Sequence, residues 1–482
     1  MGDTLTTFSP LQKKIYTGII ESHLNNKNQL WSWFEKRGAD GGQVPAAGSS
    51  TEPAVGRYFT VHNGRNTGGG FTDPDGTYPI AGAQGYSRGV INPRTLHFPI
   101  NVSKSGIRNT RTDAAAYGRL MVESATRAAN DVGVKLERVI CGDGSGTLGS
   151  VASIGAYSGG SAYTLTNPAD ARKFFVGQVI TGFSARTANS TWRVFAAGVN
   201  YATITAVDPT AGTVTMTNTA GNITGATIAA GDVLVEGFTI TTGPTSYSAS
   251  RSTSPTTIRY EPMGIDGIVS DRDSPMETGT TYGGLYGILA PADYSGSANT
   301  GGVTSWASYV NRVTSGTSRA YNDTILQSLK DRIEIDSGLA PDIYVTSYGG
   351  RVEFVNARQA IRRTVNTMTI AGETGGGFSE NTEAKQFVEF DGKPIVPSRF
   401  APVGRDANTS GNYTTSFLAL NTSHIWVEEW HKLRFIDDDG NTWRMVGRTP
   451  FFEAILEYQC EVAANRRNCH AKATQIIASD FT

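Results

Sequence analysis

This chain has little of what usually announces an activity or an address. Three cysteines, Cys141, Cys460 and Cys469, in 482 residues are too few and too odd in number for a disulfide framework, which fits a reducing compartment. No apolar run approaches the ~18 residues of a membrane span, and no basic start leads into an apolar stretch, so neither membrane insertion nor secretion is expected. The opening Met1-Gly2-Asp3-Thr4-Leu5-Thr6 fits a myristoylation pattern too short to carry weight. Charge is scarce: charged residues make up 18%, and 42 basic against 43 acidic side chains leave a formal charge of −1. Bulk attraction to nucleic acid is thereby excluded, and any such contact must be local. The six histidines are scattered, with no Ser or Cys at a recognisable spacing.

What is present points to a folded, loop-rich and β-rich protein: 38% hydrophobic residues, 10% aromatic and 56 glycines. The length suffices for about two to four domains. Residues 112–141 read as one helix, because Tyr117, Leu120, Met121, Ser124, Ala128, Val132, Leu136 and Ile140 recur near every fourth position, with Thr112 and Asp113 at its start. At ~1.5 Å per residue it would be a strut of roughly 42 Å. It ends in Gly-Asp-Gly-Ser-Gly from Gly142 to Gly146. A phosphate-cradling loop opens a helix, whereas this one closes one, so a C-terminal stop is expected.

Residues 1–50 read as an arm with apolar patches at Leu11, Ile15, Ile19 and Ile20 and at Leu30, Trp31, Trp33 and Phe34, docking either on its own core or on a neighbour. Residues 51–111 read as an extended hairpin: 96–102 alternate as a strand, with 57–63 as the expected partner and a glycine-rich tip bearing Asp73 and Asp75 between them. A lone two-stranded ribbon is marginal in water and calls for a partner surface. Residues 112–158 hold the long helix. Residues 159–264 form a Thr, Ala, Val and Gly-rich β-module, with strands expected near Phe175, Tyr201 and Thr213 and with linker-like flanks. Residues 265–400 read as an α/β piece with two helices and a buried strand at 342–347. Residues 401–482 read as hairpins, with 450–477 as one long strand or strand pair.

Motifs with chemical meaning have plainer explanations. Gly85-Tyr86-Ser87-Arg88-Gly89 fits a nucleophile elbow, but an extended, Pro-containing stretch follows where a helix is needed. Asp437, Asp439 and Asn441 have calcium-loop spacing, yet Thr442 and Arg448 replace the required Gly and Glu. Cys460, Cys469 and His470 lack a paired Cys motif. No catalytic residue, cofactor or metal is expected. On the long helix, Arg119, Arg127, Lys135 and Arg138 could touch DNA phosphates if that face lines an interior.

In this order, and with VICGDGSGTLG, LQSLKDRIEIDSGLAPDIYVTSYGGRVEF and WHKLRFIDDDGNTWRMVGRTPFFEAILEYQCEVAANRR as local likenesses, the chain resembles the major capsid protein of tailed double-stranded DNA bacteriophages. The resemblance implies the α+β Hong Kong 97 fold: N-terminal arm, E-loop, long spine helix, axial α/β domain and peripheral return, with residues 159–264 as an insertion. It implies no enzyme, but a structural protein in the virion, assembled in the bacterial host cytoplasm into pentamers and hexamers of an icosahedral head. Implied partners are further copies of itself, a separate scaffolding protein, a portal, a decoration protein and packaged DNA held by weak non-specific contact; no membrane is implied. No lysine lies between Lys36 and Lys104, so the covalent E-loop staple of some relatives is not expected. Expected interface residues are Trp31, Trp33, Phe34, Asp73, Asp75, Arg88, Arg94, Asp437, Asp438 and Asp439. The alternatives are an encapsulin-like compartment shell and a β-rich carbohydrate-active or binding protein.

Overall fold

The computed structural model describes residues 30–38, 56–109, 120–157, 160–187, 190–195, 201–217, 228–239, 247–249, 259, 261–278, 283–313, 317–362, 388–405, 413–437, 442–445 and 450–478. After the single turn Trp31–Trp33 comes β1 (Glu35–Gly38), then the ribbon of β2 (Arg57–Gly64) and β3 (Gly85–Ile91). These two pair antiparallel, Arg57 opposite Ile91, and among the described residues they join no other strand. The pairing expected between 57–63 and 96–102 is therefore corrected. At Asn92-Pro93 the chain leaves the ribbon, and β4 (Arg94–Ser103) pairs over its whole length with the distant strand Phe451–Ala464. The Lys104 N–H donates to the Pro450 carbonyl at 2.8 Å, so even-numbered residues of β4 bond inward. Pro99 then turns its missing donor toward the open edge, where a proline costs least.

After α1 (Lys104–Asn109), α2 (Leu120–Ile140) is the long helix. Its buried stripe includes Ala128, Val132, Leu136 and Ile140. The expected start at Thr112 and Asp113 lies outside the described residues. The helix stops as expected: Gly142 N–H reaches Val139 O at 3.0 Å, and Gly144 and Gly146 take φ of 76° and 70°.

The next eight strands are β5 (Thr147–Tyr157), β6 (Gly160–Leu165), β7 (Val179–Phe183), β8 (Trp192–Arg193), β9 (Tyr201–Asp208), β10 (Thr213–Thr217), β11 (Val233–Thr239) and β12 (Tyr247–Ala249). Six of them close on themselves in the order β5-β6-β10-β9-β7-β11 and back to β5, every pair antiparallel. The product is a barrel, which has no free edges. Its interior is filled by Tyr163, Phe195, Ile204, Val214, Met216 and Leu234 among others. The Gly and Ser-rich stretch before residue 164, expected as a linker, is instead the β5–β6 hairpin. Phe175 lies in a turn closed by Gln178 N–H on Phe175 O at 3.2 Å, and the strand expected there starts at Val179.

The remaining elements are β13 (Tyr309–Asn311), α3 (Asp323–Ser337), β14 (Ile343–Thr346), α4 (Tyr348–Arg362), β15 (Val388–Phe390), β16 (Lys393–Pro397), β17 (Val403–Arg405), β18 (Tyr413–Leu420), β19 (Ile425–Phe435), β20 (Arg444–Met445), β21 (Phe451–Ala464) and β22 (Ala471–Ala478). Asn322 caps α3 and Gly338, at φ 71°, ends it. Two sheets result: a mixed one ordered β13-β22-β18-β14-β16-β15 with β17 beside β18, and another ordered β1-β19-β21-β20 with β4 beside β21. One face of the mixed sheet packs on Leu326, Leu329 and Phe354 of α3 and α4, while Ile343, Val345 and Leu418 on the other join the core shared with α2. β21 and β22, expected as one strand or a strand pair, belong to different sheets. The architecture is α+β, and arm, ribbon, long helix, inserted β-module, mixed sheet and returning strands follow in the order the resemblance implies. Among the described residues, no helix is long and apolar enough to cross a membrane.

Candidate functional site

Three places carry the chemistry of this fold, beginning with the ribbon. Its tip presents Phe71, Tyr78 and Ile80 with 110%, 88% and 90% of their surface open, next to exposed Asp73 and Asp75. Monomeric proteins rarely leave such a group uncovered. The tip turns through Gly76 N–H on Asp73 O at 2.8 Å. Arg88 is exposed on β3, its guanidinium 4.9 Å from the Tyr58 ring. Ser87 lies within β3, not at a strand-to-helix elbow, and its hydroxyl accepts from Asn63 at 2.7 Å.

The ribbon's root is held firmly. Phe59 packs 6.0 Å from both Tyr286 and Trp306, Val90 N–H donates to Tyr286 O at 2.8 Å, and Arg57 pairs with the buried Glu428. Tyr286 takes φ 57°, which costs a bulky side chain ~1–2 kcal/mol. Its hydroxyl donates to Val462 O at 2.5 Å, so the seat is fixed from below. The neighbouring Gly283, Gly284 and Gly287 are the sequence signal that could have revealed this left-handed loop.

The second place is the far end of α2. Glu137 is 2% exposed and accepts from Leu30 N–H at 3.0 Å, Trp31 N–H at 2.8 Å and Ser398 Oγ at 3.2 Å. Trp31 and Phe34, expected at a subunit interface, lie in this chain's own core, at 6% and 3% exposure. Trp33 packs half-buried on the same core. Lys135 and Arg138, expected to face DNA, pair within the chain: Glu236 of β11 accepts from them at 2.9 and 3.3 Å, and Glu261 takes Arg138 at 2.6 Å. Burial opposes the Glu236 charge, but Lys135 and Arg138 outweigh it and hold its carboxyl below the usual range. Asp143 behaves alike: burial is overcome by the Arg186 guanidinium and by the Ser145 hydroxyl and amide, and its pKa falls. Arg127 pairs with Glu123 one turn away at 2.7 Å, and Arg119 lies outside the described residues.

The third place joins the two sheets. Arg467 is fully buried and donates to the carbonyls of Ile268, Trp306, Ser270 and Arg272 at 2.8 to 3.1 Å. Burial pulls its pKa down to about 10, so the guanidinium stays charged at neutral pH. Beside it His470 is buried and neutral, its pKa lowered to about 3 by burial first and then by His424 and Arg467. Arg94, also expected at an interface, sits instead 3.7 Å from the buried Glu461, which Arg259 holds at 2.8 Å. Asp437 is exposed at the end of β19, while Asp438 and Asp439 lie outside the described residues. Cys469 Sγ lies 3.5 Å from His470, but among the described residues no three His, Cys, Asp or Glu side chains cluster as metal ligands.

Against known proteins, no family model matches this chain and no curated protein matches it. Solved structures do resemble it. The chain is similar to one in the capsid asymmetric unit of cyanophage A-1(L), at 10% identity and a TM-score of 0.46 over 87% of this chain and 88% of that one. It is similar to one in the capsid of an empty GTA particle, at 8% identity and a TM-score of 0.43 over 98% of both. A chain of the SrpI encapsulin complex of Synechococcus elongatus matches 36% of this chain and 55% of that one, at 14% identity and a TM-score of 0.25.

Proposed function

We propose that this chain is the repeating subunit of an icosahedral, tailed-phage-type head, assembling through pentamers and hexamers around double-stranded DNA. The observation that carries the reading is the ribbon: a rooted, two-stranded arm with an uncovered Phe71, Tyr78 and Ile80 tip and, among the described residues, no third strand beside it. Such a tip gains cover on a neighbouring molecule, and repeated head-to-tail contacts of this kind close into rings. Asp73, Asp75 and Arg88 on the ribbon, and Asp437 on the β19 end, are the interface residues that remain open. Non-specific contact with packaged DNA falls to Arg127 of the long helix and to Arg119, which lies outside the described residues. A separate scaffolding protein, a portal and a decoration protein complete the assembly, which takes place in the host cytoplasm. Of the expected divisions, 1–50, 51–111, 265–400 and 401–482 serve as working divisions of the subunit, while the start of the β-module moves from 159 to Thr147, where β5 enters the barrel. The chain is not an enzyme in this reading.

Electron microscopy of the purified chain, alone and with its candidate scaffold, tests this. Closed shells or capsomer rings are expected. A uniform monomer in both conditions would remove the reading, and shells filled with protein instead of DNA would favour a cargo compartment.

A further inference from the structure

Three observations meet where α2 ends. The barrel and the body have separate apolar cores, with no buried apolar residue shared between the two clusters. What crosses between them is polar. Glu236 of the barrel faces Lys135 and Arg138 at 2.9 and 3.3 Å, Arg186 pairs with Asp143, and Asn167 donates to Val403 O at 3.0 Å. The covalent lead into the barrel is the glycine loop 142–146: the Gly142 carbonyl accepts from Asp266 N–H at 3.1 Å and the Asp143 carbonyl from Ser274 Oγ at 3.2 Å, which fixes these two residues to the body, and the left-handed Gly144 and Gly146 follow, with a cleft of about 170 Å³ alongside. A Cβ on Gly144 would come within 2.9 Å of the Arg259 side chain, so the loop keeps its glycine.

Two bodies with merged cores move only by exposing apolar surface, whereas two held by charge pairs separate by exchanging those pairs for water. Hinges are found where a few residues can absorb changes in φ and ψ between rigid, separately packed units. We propose that residues 144–146 are a hinge, and that the Glu236 and Asp143 ion pairs are the latch that holds the barrel in one orientation on the long helix. With the latch broken, the barrel swings as a rigid body and stays folded, because its core and its closed hydrogen-bond ring are its own. The inference concerns a single subunit and stands or falls independently of shell assembly.

The test is a distance between spin labels on the full chain, placed at exposed Thr205→Cys on the barrel and Gln327→Cys on α3, since the three native cysteines are buried. The wild-type background is expected to give one narrow distribution. Glu236→Gln with Arg186→Gln is expected to broaden it about two-fold and to speed amide exchange in the loop roughly ten-fold, with barrel amides still protected. Arg193→Gln, which breaks the 2.8 Å pair with Asp232 inside the barrel, is expected to leave the distribution narrow. An unchanged distribution in the double variant overturns the latch. Broadening accompanied by lost barrel protection overturns the rigid-body hinge, and equal broadening from Arg193→Gln overturns the assignment to these pairs.

Discussion

The barrel and the ribbon are both additions to the same body, and they solve the problem of a small β-structure in opposite ways. The barrel closes its strands in a ring around Tyr163, Phe195 and Met216, so every strand has two neighbours and the apolar side chains face each other. The ribbon has two strands, no core and an apolar tip, and its order comes from its root on Tyr286 and Trp306. One carries its stability within itself; the other waits for something to cover it. A region built to be self-sufficient and a region built to be completed can therefore be told apart by where their apolar surface points.

The comparison breaks most visibly in the barrel core. Phe195→Ala should cost about 3–5 kcal/mol of barrel stability while hydrogen exchange in the ribbon stays unchanged; exchange rising in both would mean that the two are not independent. At the ribbon root, a Cβ on Gly89 would lie 2.4 Å from the Phe59 ring, so Gly89→Ala should cost about 1–3 kcal/mol, read as faster exchange of the β2–β3 amides alone. Acid should act on the body beneath both. His470 titrates near 3 when folded and near 6.5 when unfolded, so the unfolded chain takes the proton first and stability falls as pH drops below about 6.5. Urea unfolding at pH 5 should be about 2 kcal/mol less favourable to the fold than at pH 7, and His470→Gln should flatten that slope. The barrel dock, whose Asp143 and Glu236 have lowered pKa values, should hold through the ordinary carboxylate range and fail only below it. The smallest effect on the subunit belongs to the tip: Phe71→Ala should change stability by less than about 0.5 kcal/mol, yet reduce shell yield in sedimentation. Full assembly by that variant would show that the tip is not the contact.

Local chemistry was legible in the sequence, and long-range closure was not. The stripe through Ala128, Val132, Leu136 and Ile140 and the glycine stop after it follow from a 3.6-residue period and from left-handed glycine, both local effects. The partner of β4 could not be read, because β3 is glycine-rich and the strand that pairs with β4 lies at the far end of the chain. Barrel closure was hidden for the same reason: β5 meets β11 across most of the module, and its Gly, Ser and Ala composition reads as linker. At the candidate site, exposed Asp73, Asp75 and Arg88 were recognisable as surface residues. The carboxylate partners of Lys135 and Arg138 gave no signal, because a helical cation looks the same whether it faces solvent or an unseen carboxylate. Glu137 and Arg467 gave no signal, since a lone charged residue in a periodic pattern does not reveal which backbone groups it will satisfy.

The pairing of Arg94 with Cys460 has a consequence in time. Synthesis delivers β21 long after β4, so the sheet beneath the ribbon stays one strand short while the intervening chain is being made. The barrel, whose strands are neighbours in sequence, can form long before that. A nascent subunit thus has a finished barrel and an unfinished platform, and a ribbon with nothing firm to stand on engages no neighbour. In the proposed assembly, the arrival of this late strand is then the condition for joining one subunit to others.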